Sequence, residues 1–268
     1  MQDFAAMLAA TPEFAAAEKL AVLAEGATRT TWKIRCDGEH FVARFCRNNH
    51  GLPLPGVAAE YQFSRAAAAA GLAPEPVYAD ADSGLLVSRY AEGRSWTERD
   101  LRQPEQLQRL KALLARLHQL QPQGPAFDPL AAVQAYATEL GTEFAVSVAE
   151  TASIVVDGLP EVREPFLCHN DLLAGNIVDS AAGLLLIDWE FAALGDPYFD
   201  LAVMIRHHNL SAEQEAVLVS NAASERIAMW GRYYDCLLTL WLLVLQNRGG
   251  LDSLGEARLK CLFSKDFR

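Results

Sequence analysis

Three polar residues lie at fixed offsets in the segment CHNDLLAGNIV, residues 168–178, which runs between two apolar stretches. They are His169, Asp171 and Asn176, and a further acid, Asp188, ends the apolar stretch LLLID. If Asp171 and Asn176 face one cavity, the carboxylate can accept a proton from an attacking hydroxyl and the amide oxygen can ligate Mg²⁺. Asp188 would then supply the second, charged metal ligand. The spacing therefore indicates phosphoryl transfer, with Asp171 as base.

The composition excludes several classes of protein. The chain has 268 residues, 51% of them apolar, and a net charge of −11 that repels nucleic-acid phosphates and attracts cations. The N-terminus MQDFAAMLAATPEF has no basic targeting region, and the longest apolar run, CLLTLWLLVL, is too short to cross a bilayer. We therefore expect a cytoplasmic protein without nucleic-acid partner or membrane insertion, and the sequence leaves its oligomeric state open.

The cysteines bear on the kind of metal site. The chain has 5 cysteines, an odd number without a C-x-x-C pair, which is typical of reduced thiols and not of disulfides or zinc sites. Any bound metal should therefore be held by oxygen ligands.

The hydrophobic pattern changes along the chain. KLAVLAEG, TTWKIRC and HFVARFC predict three antiparallel strands, the last two joined by a turn at Asp37 and Gly38. A helix should follow and end at Gly71, and two further strands should complete a small sheet. After Gly93 the periodicity becomes helical, with short strands only around the polar residues of the opening segment. This order predicts an α+β fold.

The polar segments resemble a known superfamily. CHNDLLAGNIV is similar to choline and ethanolamine kinases, and GLLLIDWEFAALGDPYFDLA to a wider group that includes bacterial thiamine kinases. Residues 169–176 match the kinase signature H-R-D-L-x-x-x-N apart from its arginine, and Asp188 stands where that signature continues with D-F-G. The chain therefore resembles the aminoglycoside phosphotransferase and choline kinase superfamily. The resemblance implies a protein-kinase-like bilobal fold, with a small antiparallel-sheet N-lobe, residues 1–91, and a mainly helical C-lobe, residues 92–268.

The resemblance also implies a site for ATP and Mg²⁺. Arg44 stands where protein kinases have a lysine, and its expected partner is Glu60 on the following helix. The phosphate-covering loop is reduced to EGATRTTW, and the hinge SRYAEG should meet adenine through its backbone. The expected nucleotide contacts are Arg44, Glu60, Gly26, Thr28, Arg89, Tyr90 and Ala91.

The acceptor should be a small alcohol, since Trp189 and Glu190 follow Asp188 and no A-P-E segment follows for a protein substrate. The resemblance and the acidic chain favour a cationic alcohol such as choline, ethanolamine or thiamine. Glu190, Asp196 and Trp241 are the candidate substrate contacts, although Asp196 equally fits a turn and Trp241 a core residue. His169 and Asp200 are expected to support the loop structurally.

Two alternatives remain open from the sequence. An aminoglycoside or sugar kinase would share the catalytic residues and differ in its acceptor pocket. A non-catalytic nucleotide-binding module is the alternative from another class of protein, and the complete set of Asp171, Asn176 and Asp188 argues against it.

Overall fold

The computed structural model describes residues 4–25, 29–46, 55–219 and 223–263. A five-stranded antiparallel sheet occupies the N-terminal part, and helices dominate the remainder. The predicted α+β fold is confirmed. Within these ranges, no helix is both long and apolar enough to cross a membrane.

The N-terminal sheet has the strand order β1-β2-β3-β5-β4. Its strands are β1 (Glu18–Glu25), β2 (Arg29–Cys36), β3 (Glu39–Cys46), β4 (Pro76–Asp80) and β5 (Leu85–Arg89). Asp37 and Gly38 connect β2 to β3 with φ angles of 50° and 82°, the left-handed pair that a tight two-residue hairpin requires. The predicted antiparallel meander and its Asp-Gly turn are therefore both present.

Short strands carry the polar loops of the C-terminal part. They are β6 (Arg94–Ser95), β7 (Phe166–Cys168), β8 (Ile177–Ser180), β9 (Gly183–Leu186) and β10 (Ala193–Gly195). β8 and β9 form a hairpin that β6 extends, and β7 pairs with β10. The sequence predicts β7, β8 and β9 from their apolar residues, whereas β6 has only two residues and β10 includes a glycine, and neither was predicted.

The helices surround these strands. They are α1 (Phe4–Ala10), α2 (Val57–Ala69), α3 (Pro104–Leu117), α4 (Pro129–Leu140), α5 (Glu143–Asp157), α6 (Pro197–His207), α7 (Ala212–Leu218), α8 (Ser224–Asn247) and α9 (Ser253–Phe263). Gly141, at a φ of 62°, ends α4, and the Thr142 hydroxyl accepts the Ala145 N–H to cap α5. The apolar periodicity that runs through this region is thus divided between two helices.

Two hydrophobic clusters stabilise the fold. One lies against the N-terminal sheet and includes Phe14, Ile34 and Val87. The other fills the helical part, and α2 contributes Phe63 and Ala67 to it. The helix that carries Glu60 is therefore packed against the helical part as well as the sheet. The lobe boundary at residue 91 stays a prediction.

Candidate active site

The loops that carry Asn176 and Asp188 are joined by the β8–β9 hairpin. The Ile187 N–H donates to the carbonyl oxygen of Asn176 at 2.9 Å, just beyond the last pair of the hairpin. Asp188 follows with a φ of 68°, a left-handed conformation that non-glycine residues adopt rarely and that asparagine and aspartate tolerate best. Local pairing of two short strands therefore brings residues of separate loops to one place.

Asp171 is fixed to Asn176 by the side chain of Asn176. The amide nitrogen donates to the Asp171 carbonyl oxygen at 2.9 Å and to its carboxylate oxygen Oδ2 at 3.0 Å. Because the amide nitrogen of Asn176 faces Asp171, the amide oxygen of Asn176 points away from Asp171. Asp171 and Asn176 are thus joined by their side chains, and Asp188 is linked to them through the backbone hydrogen bond of Ile187; we call these three residues the connected group.

Arg44 lies between two carboxylates. Its guanidinium makes ion pairs with Glu60 of α2 and with Asp188, and the Glu60 side chain is only 2% exposed. Burial of Glu60 requires a permanent partner for its charge, which Arg44 provides. The predicted contact of Arg44 with Glu60 is present, and the contact with Asp188 adds one that the sequence did not indicate.

A cleft of about 430 Å³ runs between the N-terminal sheet and the β8–β9 hairpin. The predicted site residues that line it are Arg44, Glu60, Arg89, Tyr90, Ala91, Asn176 and Asp188. Thr31 of the predicted phosphate-covering segment EGATRTTW lines it as well, as does Leu23 just before that segment. Gly26 and Thr28 of that loop lie outside the described residues.

The hinge segment already uses two of its backbone N–H groups. Arg89 donates to the Glu75 carbonyl oxygen at 2.8 Å, and Tyr90 donates to that of His40 at 3.0 Å. Any contact of Arg89 and Tyr90 with an adenine edge would therefore be made through their carbonyl oxygens.

Asp200 of α6 holds the start of the polar loop. Its buried carboxylate accepts the backbone N–H groups of His169 at 3.0 Å and Asn170 at 2.7 Å, and lies 2.9 Å from Nε2 of His118. Burial acts to raise the pKa of Asp200, but the hydrogen bonds and charges of His118 and His169 together lower it more, so the pKa lies below its ordinary value. Asp200 thus braces the loop as an ionised acceptor.

His169 is buried beneath the loop. Its Nε2 lies 2.9 Å from the carbonyl oxygen of Ile187, and its ring contacts Trp189 with centroids 4.9 Å apart. The histidine thereby links the loop of Asp171 to the residue before Asp188. This contact suits the structural role expected of it.

An aromatic cluster of Trp241, Tyr136 and Phe191 lies near Asp171. The ring of Trp241 is 5.8 Å from that of Tyr136 and 6.5 Å from that of Phe191. The pKa of Tyr136 is raised by burial and then by the charge of Asp171, so the Asp171 carboxylate acts on this cluster. Glu190 is half-buried and precedes Phe191.

Asp196 caps α6. Its carboxylate accepts three hydrogen bonds, from the Tyr198 backbone N–H at 3.1 Å, from Nε of Arg226 at 2.6 Å and from the indole N–H of Trp230 at 2.5 Å. Of the two roles considered for Asp196, these contacts match the structural one.

Comparison with known protein families gives a match over most of the chain. A model of the phosphotransferase enzyme family matches residues 19–236. The chain belongs to this family. The predicted resemblance to aminoglycoside phosphotransferases and choline kinases is thereby confirmed, as is the expectation of a small-molecule kinase.

The relatives of this phosphotransferase differ in sequence identity and in how much of each chain the match covers. Protein LicA of Haemophilus influenzae is 27% identical over 262 residues, which cover 88% of this chain and 76% of that protein. A LicA homolog of Mycoplasma capricolum is 29% identical over 94 residues, and the match covers 40% of that protein. Thiamine kinase of Escherichia coli is 49% identical over 51 residues, 17% of this chain and 19% of that enzyme.

The crystal structure of choline kinase LicA from Streptococcus pneumoniae superposes with a TM-score of 0.75. The match covers 96% of this chain and 95% of that one at 18% sequence identity. The similarity shows that this phosphotransferase has the bilobal kinase-like fold that the sequence predicts.

Several residues around the site carry no signal in the sequence. His118 directly follows α3, whose sequence shows only the periodicity of an amphipathic helix. Tyr136 is one of the buried residues of α4 and looks like any core residue. Phe191 is the exception, because it directly follows Asp188, Trp189 and Glu190 and could have been included with them. The phosphotransferase thus assembles part of its site from residues that only tertiary structure brings together.

Proposed function

We propose that this phosphotransferase moves the γ-phosphoryl group of ATP, with Mg²⁺, to the hydroxyl of a small cationic alcohol such as choline, ethanolamine or thiamine. The observation that carries the proposal is the connected group of Asp171, Asn176 and Asp188 beside the cleft that Arg44 and Glu60 line. Phosphoryl transfer requires a base, oxygen ligands for a metal and a cation that binds phosphate. The connected group and Arg44 together would offer all three.

Asp171 is the proposed base. Its carboxylate would accept the proton of the acceptor hydroxyl, or orient that hydroxyl, as the phosphoryl group is transferred. The hydrogen bond from Asn176 holds one carboxylate oxygen, Oδ2, in place. Its charge acts on the aromatic cluster that would contact the acceptor.

Asn176 and Asp188 fit a magnesium ion. Both offer hard oxygen atoms, both line the cleft, and the Ile187–Asn176 hydrogen bond keeps their loops together. Arg44 has one positive charge and contacts the carboxylates of Glu60 and Asp188, so these three side chains carry a net negative charge that favours a cation. When bound, Mg²⁺ would neutralise phosphate charge during transfer.

Arg44 and the hinge would position the nucleotide. A guanidinium held by Glu60 at one side can offer its remaining N–H groups to phosphate oxygens. The backbone of Arg89 to Ala91 would meet the adenine edge at the other end of the same cleft. Gly26 and Thr28 are proposed to cover the phosphates.

The aromatic cluster supports a cationic acceptor. A quaternary ammonium binds over the faces of tryptophan and tyrosine rings, and a desolvated contact contributes about 2 kcal/mol. Trp241, Tyr136 and Phe191 lie together near the charge of Asp171, and Glu190 adds an acid to the same segment. The names of the relatives, choline kinase and thiamine kinase, agree with this substrate class.

Steady-state kinetics on choline, ethanolamine, thiamine, kanamycin and a neutral sugar would test the proposal. We expect a preference for one of the small cations. Trp241→Leu should raise the KM of that acceptor about tenfold, because a cation–π contact of ~1–2 kcal/mol is lost, while the KM of ATP stays unchanged. Phe144→Leu changes an exposed aromatic residue of α5 and is the control. A preference for the neutral sugar would contradict the proposed acceptor class.

A further inference from the structure

We propose that His208 is a positioning residue for phosphoryl transfer, which holds the loop of Asp171 and Asn176 through the backbone of Ala174. The inference rests on the proposed function, because it assigns His208 to the same reaction. His208 follows the last residue of α6 and is 5% exposed. It lies far from the loop in sequence and was not indicated by any motif.

The contact is a buried hydrogen bond. The backbone N–H of Ala174 donates to Nε2 of His208 at 3.1 Å, and both residues are buried. Ala174 begins a short 3₁₀ turn, Ala174–Asn176, and the preceding Leu173 has no side-chain oxygen to cap it. The imidazole therefore satisfies an N–H group that the turn leaves without an internal acceptor.

The hydrogen bond fixes the protonation state of the ring. A backbone N–H can only donate, so Nε2 must be the unprotonated acceptor and Nδ1 carries the hydrogen. Nδ1 faces the Glu98 carboxylate at 3.5 Å. Burial lowers the pKa of His208, which agrees with a neutral imidazole.

The backbone of His208 is anchored independently of the loop. Its N–H donates to the carbonyl oxygen of Met204 in the last turn of α6, and the Arg102 guanidinium donates to the His208 carbonyl oxygen at 3.1 Å. The buried imidazole therefore extends from a fixed point of the main chain to the loop. Ala174 lies two residues before Asn176, so a shift of its amide would displace the metal ligand and, through the Asn176–Asp171 hydrogen bond, the base.

Two substitutions distinguish loss of the hydrogen-bond acceptor Nε2 of His208 from loss of side-chain volume. His208→Gln places an amide oxygen as many bonds from Cβ as Nε2, whereas His208→Leu fills similar space without an acceptor. We expect His208→Leu to lower kcat at least about tenfold with the KM of ATP and of the acceptor nearly unchanged. His208→Gln should restore kcat to within about threefold of wild type.

The control is Glu98→Gln, which keeps the shape of the exposed partner of Nδ1 and should leave kcat as in wild type. Melting curves establish that each variant is folded. A folded His208→Leu protein with wild-type kcat overturns the inference, and so does a His208→Gln protein as slow as His208→Leu.

Hydrogen exchange of the Ala174 amide tests the contact without any substrate. In wild type this amide should exchange at least about 10²-fold more slowly than in an unstructured peptide, and His208→Leu should remove that protection. Fast exchange in wild type overturns the inference even if His208→Leu does not fold. If the amide is protected but no acceptor is phosphorylated, the proposed function fails while the contact between His208 and the loop stands.

Discussion

At the scale of single residues, Arg44 determines the charge of the cleft. One guanidinium is shared between Glu60, which is buried, and Asp188, which is 36% exposed. Because Glu60 has little access to water, it needs the arginine in every state of the protein. Asp188 is more accessible to water, and we propose that it exchanges the arginine for a metal ion. The pair Arg44–Glu60 would then be the fixed support and Asp188 the exchangeable partner.

Arg44→Lys tests whether the planar guanidinium is needed. Lysine keeps the charge but cannot contact Glu60 and a phosphate oxygen through separate N–H groups, so the KM of ATP should rise about tenfold. Initial rates at varied ATP measure the effect. Arg35→Lys alters an exposed ion pair with Glu18 and is the matched control. An unchanged KM of ATP would remove Arg44 from the nucleotide site.

Asp188→Asn tests the proposed metal ligands. Groups that only orient ligands change metal affinity by about 10–100-fold, so loss of a charged ligand should raise the Mg²⁺ concentration for half-maximal activity by at least as much. Asn176→Ala should have a smaller effect in the same direction, because it removes a neutral ligand. Asp179→Asn, on β8 in an ion pair with Arg109, is the control. Identical magnesium titrations of Asp188→Asn and wild type would exclude Asp188 as a ligand.

The sequence predicts residues of the site that share a local motif and misses those that do not. Asp171, Asn176 and Asp188 are recognisable because short loops with fixed spacing carry them. His118 and His208 follow the last residues of α3 and α6. His208 contacts the loop directly, and His118 contacts Asp200, which holds the loop, only after the helices have packed. A helical pattern reveals which face of a helix is buried, but not which polar group that face will meet.

At the scale of elements, the β8–β9 hairpin is the unit that assembles the site. Its pairing puts Asn176 opposite Ile187, and the short continuous apolar run LLLI was sufficient to predict the strand. The division between α4 and α5 could also be read from Gly141 and Thr142, which provide a stop and a cap. The pairing of β6 with β8 could not be predicted from the sequence, because a strand of two residues shows no periodicity.

The junction of α6, α8 and α9 makes stability depend on pH. His207 of α6 hydrogen-bonds Tyr234 of α8 through Nδ1 at 2.6 Å, and Arg258 of α9 contacts its Nε2. The pKa of His207 is lowered to about 3, first by burial and then by the charge of Arg258. Below pH ~6.5 the unfolded chain therefore binds a proton that the folded chain does not. The free energy of unfolding should decrease as the pH falls from about 6.5 to about 3.

His207→Gln should reduce this pH dependence by about one proton, because glutamine does not titrate in either state. Urea unfolding at pH values between 7 and 4 measures the slope. His40→Gln replaces an exposed histidine on β3 and is the matched control. Parallel curves for His207→Gln and wild type would contradict the assignment of the pH dependence to this junction.

At the scale of the whole molecule, the cleft joins the N-terminal sheet to the helical part. Arg44 and Glu60 come from the first 91 residues, whereas Asn176 and Asp188 come from the hairpin beyond the hinge. Since α2 is packed into the large hydrophobic cluster, Glu60 is held from both sides. The net charge of −11 gives the molecule a field that attracts a cationic acceptor and opposes an anionic one.

The most direct test of the proposed reaction measures the phosphorylated acceptor itself. Wild-type protein with ATP, Mg²⁺ and the preferred small cationic alcohol should form one phosphorylated alcohol for each ADP. Asp171→Asn keeps the size of the proposed base but cannot take the proton, so its turnover should fall by roughly 10²-fold or more with little change in ATP affinity. A folded Asp171→Asn protein that forms product at the wild-type rate, or wild type that hydrolyses ATP without forming any phosphorylated alcohol, would contradict the account.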